Sequence, residues 1–330
     1  MQVRLIPMLR CVVCGSQLIL QGGSGNQERV MEGTLLCTAN NHAYPITGGI
    51  PRMLPSVVSK DKQDTAQGFG YEWKHFKELT DQYRQQFLDW VAPLHEEDFK
   101  GKTVLDAGCG KGRHTYVVSQ FGAKEVIGMD LSESVEAAYE NTKHLLNVHI
   151  VQADMFHPPF EKDFFDVIYS VGVVHHLPDP KEGFSVLTKY LRPGGKISVW
   201  VYGREHNGWI VYGVSPIRKL ITSRLPLSVL HILSFFVTIP LYLIIELIYR
   251  PFNWAYPHMA DKVLFYNKYL FYISKFSFRE IYSIVFDHLL APTAFYLREG
   301  EVRQWYTDNH LHDVTISPHN NNSWRATGVR

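Results

Sequence analysis

Charge of one sign is the first thing this sequence lacks. Thirty-three lysines and arginines stand against thirty-two aspartates and glutamates, a formal net charge of +1. So balanced a chain has no global attraction for a polyanion, and nucleic acid is not expected as its partner unless through a local basic patch. Cysteine is scarce as well, four in 330 residues. The opening residues, MQVRLIPMLRCVVC, hold neither a long apolar run nor a small-residue cleavage site, so no secretory signal is read. A reducing, cytoplasmic setting is expected, in which neighbouring cysteines serve a metal sooner than a disulfide. Internal repeats and low-complexity tracts are absent too.

The chain divides into five parts by pattern. Residues 1–57 hold three of the four cysteines and end in a turn-rich YPITGGIPRMLP. Residues 58–100 are polar and helical in pattern, around the aromatic cluster FGYEWKHF. Residues 101–203 alternate short β-branched strands (TVLDAG, EVIGMD, VHIVQAD, FDVIYSV, KISVWVYG) with amphipathic helices, which predicts a parallel sheet covered on both faces. Residues 204–295 are apolar and aromatic. Residues 296–330 read as a helix followed by two strands, DVTIS and SWRATGV, whose short PHNN connection makes them antiparallel partners.

The glycine-bearing stretch VLDAGCGKGRHT, Val104 to Thr115, follows the first of those strands, at the end of an open sheet where ligands bind. It does not have the spacing of a phosphate binder. A dinucleotide fingerprint needs G-x-G-x-x-G, whereas Arg113 follows Gly112 here. A P-loop needs Ser or Thr after its lysine, and Lys111 is followed by Gly112. The run instead resembles the first motif of class I S-adenosylmethionine (SAM) methyltransferases, D/E-x-G-x-G-x-G. That resemblance extends in order through Asp130 in VIGMDLS, Asp154 in VQADMF, the loop of FDVIYSVGVVHHLPDP and the turn LRPGGKISVW. It implies a seven-stranded, mostly parallel Rossmann-like α/β sheet with helices on both faces, the tail supplying the last two strands. It also implies a cofactor site of Asp106, Gly108, Gly110, Gly112, Asp130, Leu131, Asp154, Met155 and Ser170. Asp130 would accept the ribose hydroxyls and Asp154 the adenine amino group, with Met155 giving the next backbone amide. HPPF, His157–Phe160, looks like the NPPY motif of amino-group methyltransferases but follows the third strand instead of the fourth, so that chemistry does not carry over. GFGYEWKHF resembles a lid helix of bacterial methyltransferases, which implies Tyr71 and Trp73 as covers of the pocket, or as an aromatic stripe on the sheet.

Cys11, Cys14, Cys37 and His42 form C-x2-C-x22-C-x4-H, a donor set suited to a tetrahedral structural zinc in a segment with few apolar residues. NNHAYPITGGIPRMLP resembles the end of Trm112-like zinc-ribbon modules, although many ribbons end in a second C-x2-C where this chain has His42 alone. Such ribbons also front some RNA methyltransferases, which keeps an RNA acceptor as the alternative. Cys109, inside the glycine loop, is read as a packing residue.

The segment Leu225–Tyr249 is long enough to span a bilayer, and sixteen of its residues are Leu, Ile, Val or Phe. Because strands of one sheet lie on both sides of it, a single crossing is excluded. Pro240 is expected to kink or break it, giving a helical hairpin or an in-plane helix flanked by Arg204, Arg218, Lys219, Arg224 and Arg250. Contact with the inner face of the membrane stands beside a buried lid or a homodimer interface. Either favours a hydrophobic small molecule, lipid or natural-product intermediate as substrate. If the acceptor must lose a proton, His175 and His176 at the fourth-strand loop are the expected bases, with Asp287 and His288 behind them. A non-catalytic scaffold that keeps the fold is the remaining alternative.

Overall fold

The computed structural model describes residues 1–291 and 293–330. Five parallel strands form its centre: β5 (Thr103–Ala107), β6 (Glu125–Asp130), β7 (Val148–Ala153), β8 (Phe165–Val171) and β9 (Leu191–Tyr202). Their order across the sheet is β7-β6-β5-β8-β9, so it reverses between β5 and β8. Apolar residues run almost unbroken along them because helices cover both faces: every residue of β7 and β8 is buried. β9 starts at Leu191, before the expected KISVWVYG, since Leu191, ahead of the proline-glycine turn, already pairs with Phe165 of β8.

The last two strands, β10 (His312–His319) and β11 (Ser323–Val329), form the expected antiparallel pair, and β11 lies antiparallel to β9. Asn320 and Asn321, both in the left-handed conformation that asparagine tolerates, make the tight connection. The cysteine-bearing segment folds as a meander of β1 (Leu18–Gly25), β2 (Val30–Cys37), β3 (Ala43–Thr47) and β4 (Ile50–Met53). It does not stand apart from the core. β4 pairs in parallel with β7, through Arg52 with Gln152 and Met53 with Ala153, and makes one sheet of eleven strands.

Between β9 and β10 the chain builds a helical insert. Its longest element runs without interruption from Leu227 to Ala255, 29 residues. The expected break at Pro240 does not occur. The helix continues through Pro240, and a wider, π-type turn follows at Ile245–Tyr249, just ahead of Pro251. Its protein-facing seam, Leu230, Ser234, Thr238, Ile245, Tyr249 and Asn253, repeats at about four residues. Ser234 and Thr238 donate to the carbonyls one turn back, so the seam costs no unpaired hydroxyl. The helix Phe278–Leu290 packs along that seam and passes the chain back to the sheet.

Candidate functional site

A cleft of about 1680 Å³, mouth included, opens beyond the carboxyl ends of β5, β6, β7 and β8. One half of it is built by strand-end loops. Gly110, in the left-handed region at φ +52, turns its backbone to the cleft, and a Cβ there would meet the Trp73 indole nitrogen at 3.0 Å. Gly112, also left-handed, starts the next helix against Ala138, where a Cβ would sit 3.1 Å from the neighbouring Cα. Asp130 at the end of β6 holds the loop: its Oδ2 accepts from the Gly110 amide at 2.9 Å, and its Oδ1 from the Ser132 amide and hydroxyl. Asp154 after β7 accepts from the Phe156 amide and pairs with Lys62 at 2.6 Å. Leu131 and Met155 complete the wall.

Five expected residues lie off the cleft wall. Asp106 is buried beneath the glycine loop, where Thr115 donates to it at 2.6 Å; burial above all pushes its carboxyl up to about 7. Ser170 is wholly buried and donates to the Ala107 carbonyl, tying β8 to β5. Gly112 serves helix packing. His175 is fully buried, 4.1 Å from the Tyr202 ring, and neither ring nitrogen has a partner. Tyr71 is on the wrong side of the helix Lys60–His75. Lys62, Ala66, Phe69 and Trp73 line the cleft at helical spacing, so Tyr71, two residues past Phe69, points outward and stacks on His75 at 4.1 Å.

The other half of the cleft is built by the insert and the β10–β11 turn together with the helix Gln82–Val91, the end of β9 and the loop after β8. Its walls are aromatic and apolar, with Trp90, Trp200, Tyr269, Tyr272 and Phe276 among them. His176 lines it. Its Nδ1 is 2.7 Å from the Thr293 carbonyl, which can only accept, so Nδ1 carries the proton and Nε2 keeps a lone pair. Burial lowers its pKa below the ordinary value, and does the same to His288 nearby. Asp287 accepts from the Tyr202 hydroxyl at 3.1 Å, while its other oxygen is buried without a partner.

Several lining residues carried no sequence signal strong enough to single them out. Glu72 accepts from Ser283 at 2.7 Å, leaves its second oxygen unpartnered, and is held well above the usual carboxylate range by burial and by Asp287. Its one clue was an acid set among aromatics in GYEWKHF. Arg113 stands over the rings of Trp73, Tyr83 and Trp90 at 5.3 to 5.4 Å, a cation facing the cleft. His319 comes from the β10–β11 turn, and burial presses its pKa down to about 4. No local pattern could place that turn opposite the glycine loop.

The residues suit the group that the glycine loop implies. A bulk-free backbone at Gly110, carboxylates at Asp130 and Asp154 and orphaned acceptors deeper in fit a nucleoside bearing a charged amino-acid tail. The cysteine cluster passes a similar test. The donor atoms of Cys11, Cys14, Cys37 and His42 lie within 4.8 Å of one another. Zinc–sulfur bonds of ~2.3 Å would set tetrahedral ligands roughly 3.8 Å apart, so the four can close on zinc with little movement. Gly15, left-handed after Cys14, turns its amide back to the Cys11 carbonyl at 2.8 Å and forms the knuckle.

Comparison with known proteins agrees with both parts. Residues 105–199 match the family described as a methyltransferase domain, and residues 2–49 match Trm112p-like proteins. The tRNA U34 carboxymethyltransferase of Pseudoalteromonas translucida is 35% identical over 127 residues, 37% of this chain and 39% of that protein. The enzyme of that name from Cellvibrio japonicus is 32% identical over 133 residues, 39% of this chain and 41% of the relative. The match thus spans about two fifths of these curated relatives. A SAM-dependent methyltransferase structure from Mesorhizobium loti aligns over 34% of this chain and 50% of its own at 28% identity and a TM-score of 0.31. The chain carries a class I SAM-dependent methyltransferase domain, preceded by a Trm112-like segment that holds a cysteine cluster.

Proposed function

We propose that the protein transfers the methyl group of SAM to a hydrophobic small molecule or lipid through an acceptor atom that gives up a proton. The observation that carries this reading is the division of one cleft into two chemistries: a glycine-and-carboxylate half at the strand ends, and an aromatic half containing His176, His288 and Asp287. SAM, when bound, supplies an electrophilic methyl on a sulfonium. The chain's own part is to fix Asp130 and the Gly110 backbone on the nucleoside side, to exclude water with the Lys60–His75 helix, and to hold the acceptor in line. His176 Nε2, with its tautomer set by Thr293, takes the acceptor's proton. Arg113 is suited to a carboxylate, on the cofactor's tail or on the acceptor.

An RNA acceptor is the second reading, favoured by the names of the tRNA-modifying relatives. Much of the acceptor half, Tyr269, Tyr272 and Phe276 of the insert and His319 of the β10–β11 turn, lies outside the 105–199 match, while His176 lies inside it. Incubating cell extracts with the protein and methyl-labelled SAM separates the two. Label is expected in the organic phase and absent with Asp130→Ala; label confined to RNA would reverse the assignment.

A further inference from the structure

The rod Leu227–Ala255 has its polarity inside out. Small polar residues, Ser234, Thr238 and Asn253, face the protein, while its outward face is apolar. Phe236 is 63% exposed, Leu247 70% and Trp254 71%. Only 22% of its most apolar window is buried. The exposed apolar surface continues onto Leu220 and Ile221 before the rod and Met259, Val263 and Phe265 after it. A contiguous patch on this scale is larger than soluble monomers leave to water, and it marks an interaction surface. Glu246, the one Asp, Glu, Lys or Arg between Leu225 and Tyr249, is paired with Arg250 at 2.6 Å.

We propose that the outer face of the 204–279 insert seats the protein in one leaflet of an anionic bilayer, lying in the membrane plane without crossing it. This goes beyond the methyl-transfer reading and does not depend on it.

Three observations choose the occupant and the pose. Between residues 204 and 279 there are nine lysines and arginines against three acids, in a chain whose remainder carries more acids than bases. Lys219 and Arg224, just before the rod in the chain, and Lys262 and Lys268, just after it, are exposed. A second copy meeting the same face about a twofold axis would bring like patches together, cation against cation, whereas anionic headgroups neutralise them. Trp209, Tyr212, Trp254 and Tyr256 are exposed as well, the amphipathic rings that settle at the headgroup level. The pose follows from packing. The rod's inner seam rests on the helix Phe278–Leu290, with Phe235 and Tyr242 each touching the Phe278 ring and the Tyr282 hydroxyl donating to the His231 carbonyl. That second helix carries Asp287 and His288 into the cleft. A helix so bound to the catalytic body can present only one side to lipid.

The test is flotation of the purified full chain with vesicles of equal parts phosphatidylglycerol and phosphatidylcholine. Beside it run pure phosphatidylcholine vesicles and the double variant Phe236→Asp/Leu247→Asp. Both substituted side chains point to solvent, so SAM binding, followed by calorimetry, should be unchanged and reports an intact fold. The wild type is expected to float with the anionic vesicles, with at least a tenfold loss in the double variant and a marked loss on neutral vesicles or in high salt. Brominated acyl chains should quench Trp254 in the wild type. Wild-type protein that stays in the supernatant overturns the proposal. So does a dimer that light scattering finds for the wild type and that dissociates in the double variant without any vesicle binding.

Discussion

At the scale of single residues, two side chains pull away from their ordinary chemistry for the same reason, and with opposite outcomes. Asp106 is raised to about 7 because it is sealed beneath the glycine loop with one hydroxyl donor. A folded-state pKa above the unfolded one means that its stabilising contribution is complete below the unfolded value of ~3.9. It is lost as pH rises toward 7. Asp106→Asn keeps an acceptor for Thr115 and has no proton to lose. Thermal unfolding should therefore favour the variant over wild type by a few kcal/mol more at pH 8 than at pH 5. An equal gap at both pH values would remove the argument. For His176 burial acts the other way, lowering its pKa and keeping the ring neutral with the Nε2 lone pair free. Its folded pKa lies below the free value, so kcat should be flat above ~6.5 and fall only at more acidic pH. His176→Asn should lower kcat by on the order of 10² to 10⁴ and leave SAM affinity unchanged, whereas His175→Asn, off the cleft, should act mainly on stability. A full-rate His176→Asn enzyme would mean an acceptor that needs no base.

At the scale of elements, the parallel strands and the glycine turn were legible because a two-sided buried strand and a bulk-free loop each leave a local trace. What sequence could not supply was direction. FGYEWKHF offered two aromatic covers, and the phase of the Lys60–His75 helix selects Trp73 for the cleft while turning Tyr71 onto His75 and the insert. Asp106 and Ser170 sit where the family resemblance puts ligand contacts, yet both spend their polar atoms on neighbouring backbone or side chain. Glu72 and His319 depend on contacts across 211 residues and across the sheet edge, which no window of sequence reports. The helix phase is testable. Trp73→Ala removes the ring that closes over Gly110 and should weaken SAM binding at least tenfold, a loss of ~1.4 kcal/mol or more. Tyr71→Ala should leave that affinity within twofold and lower stability by about 1 to 3 kcal/mol, since it unpacks the aromatic cluster around Phe286. Equal losses of SAM affinity from both would mean that the helix sits differently when loaded.

At the scale of the whole molecule, the eleven-stranded sheet joins two regions that look separate in the sequence. The meander is anchored at one end by the Cys11, Cys14, Cys37 and His42 cluster and at the other by β4, whose Met53 pairs with Ala153 immediately before Asp154. Met53 itself is fully buried, in the same apolar cluster as Leu35, Ile46 and Val151. A metal that fixes the meander would therefore also fix the edge of the sheet from which Asp154 reaches the cleft. The four donors predict about one zinc per chain. Stripping it with a chelator should expose Cys11, Cys14 and Cys37 to a thiol reagent, while Cys109, buried in the glycine loop, stays protected. SAM affinity should fall with the same dependence on zinc occupancy, because the loosened β4 no longer braces β7. Rapid labelling of three thiols with SAM affinity unchanged would show that the sheet is continuous in geometry but not in energy, and that the meander folds as a separate unit.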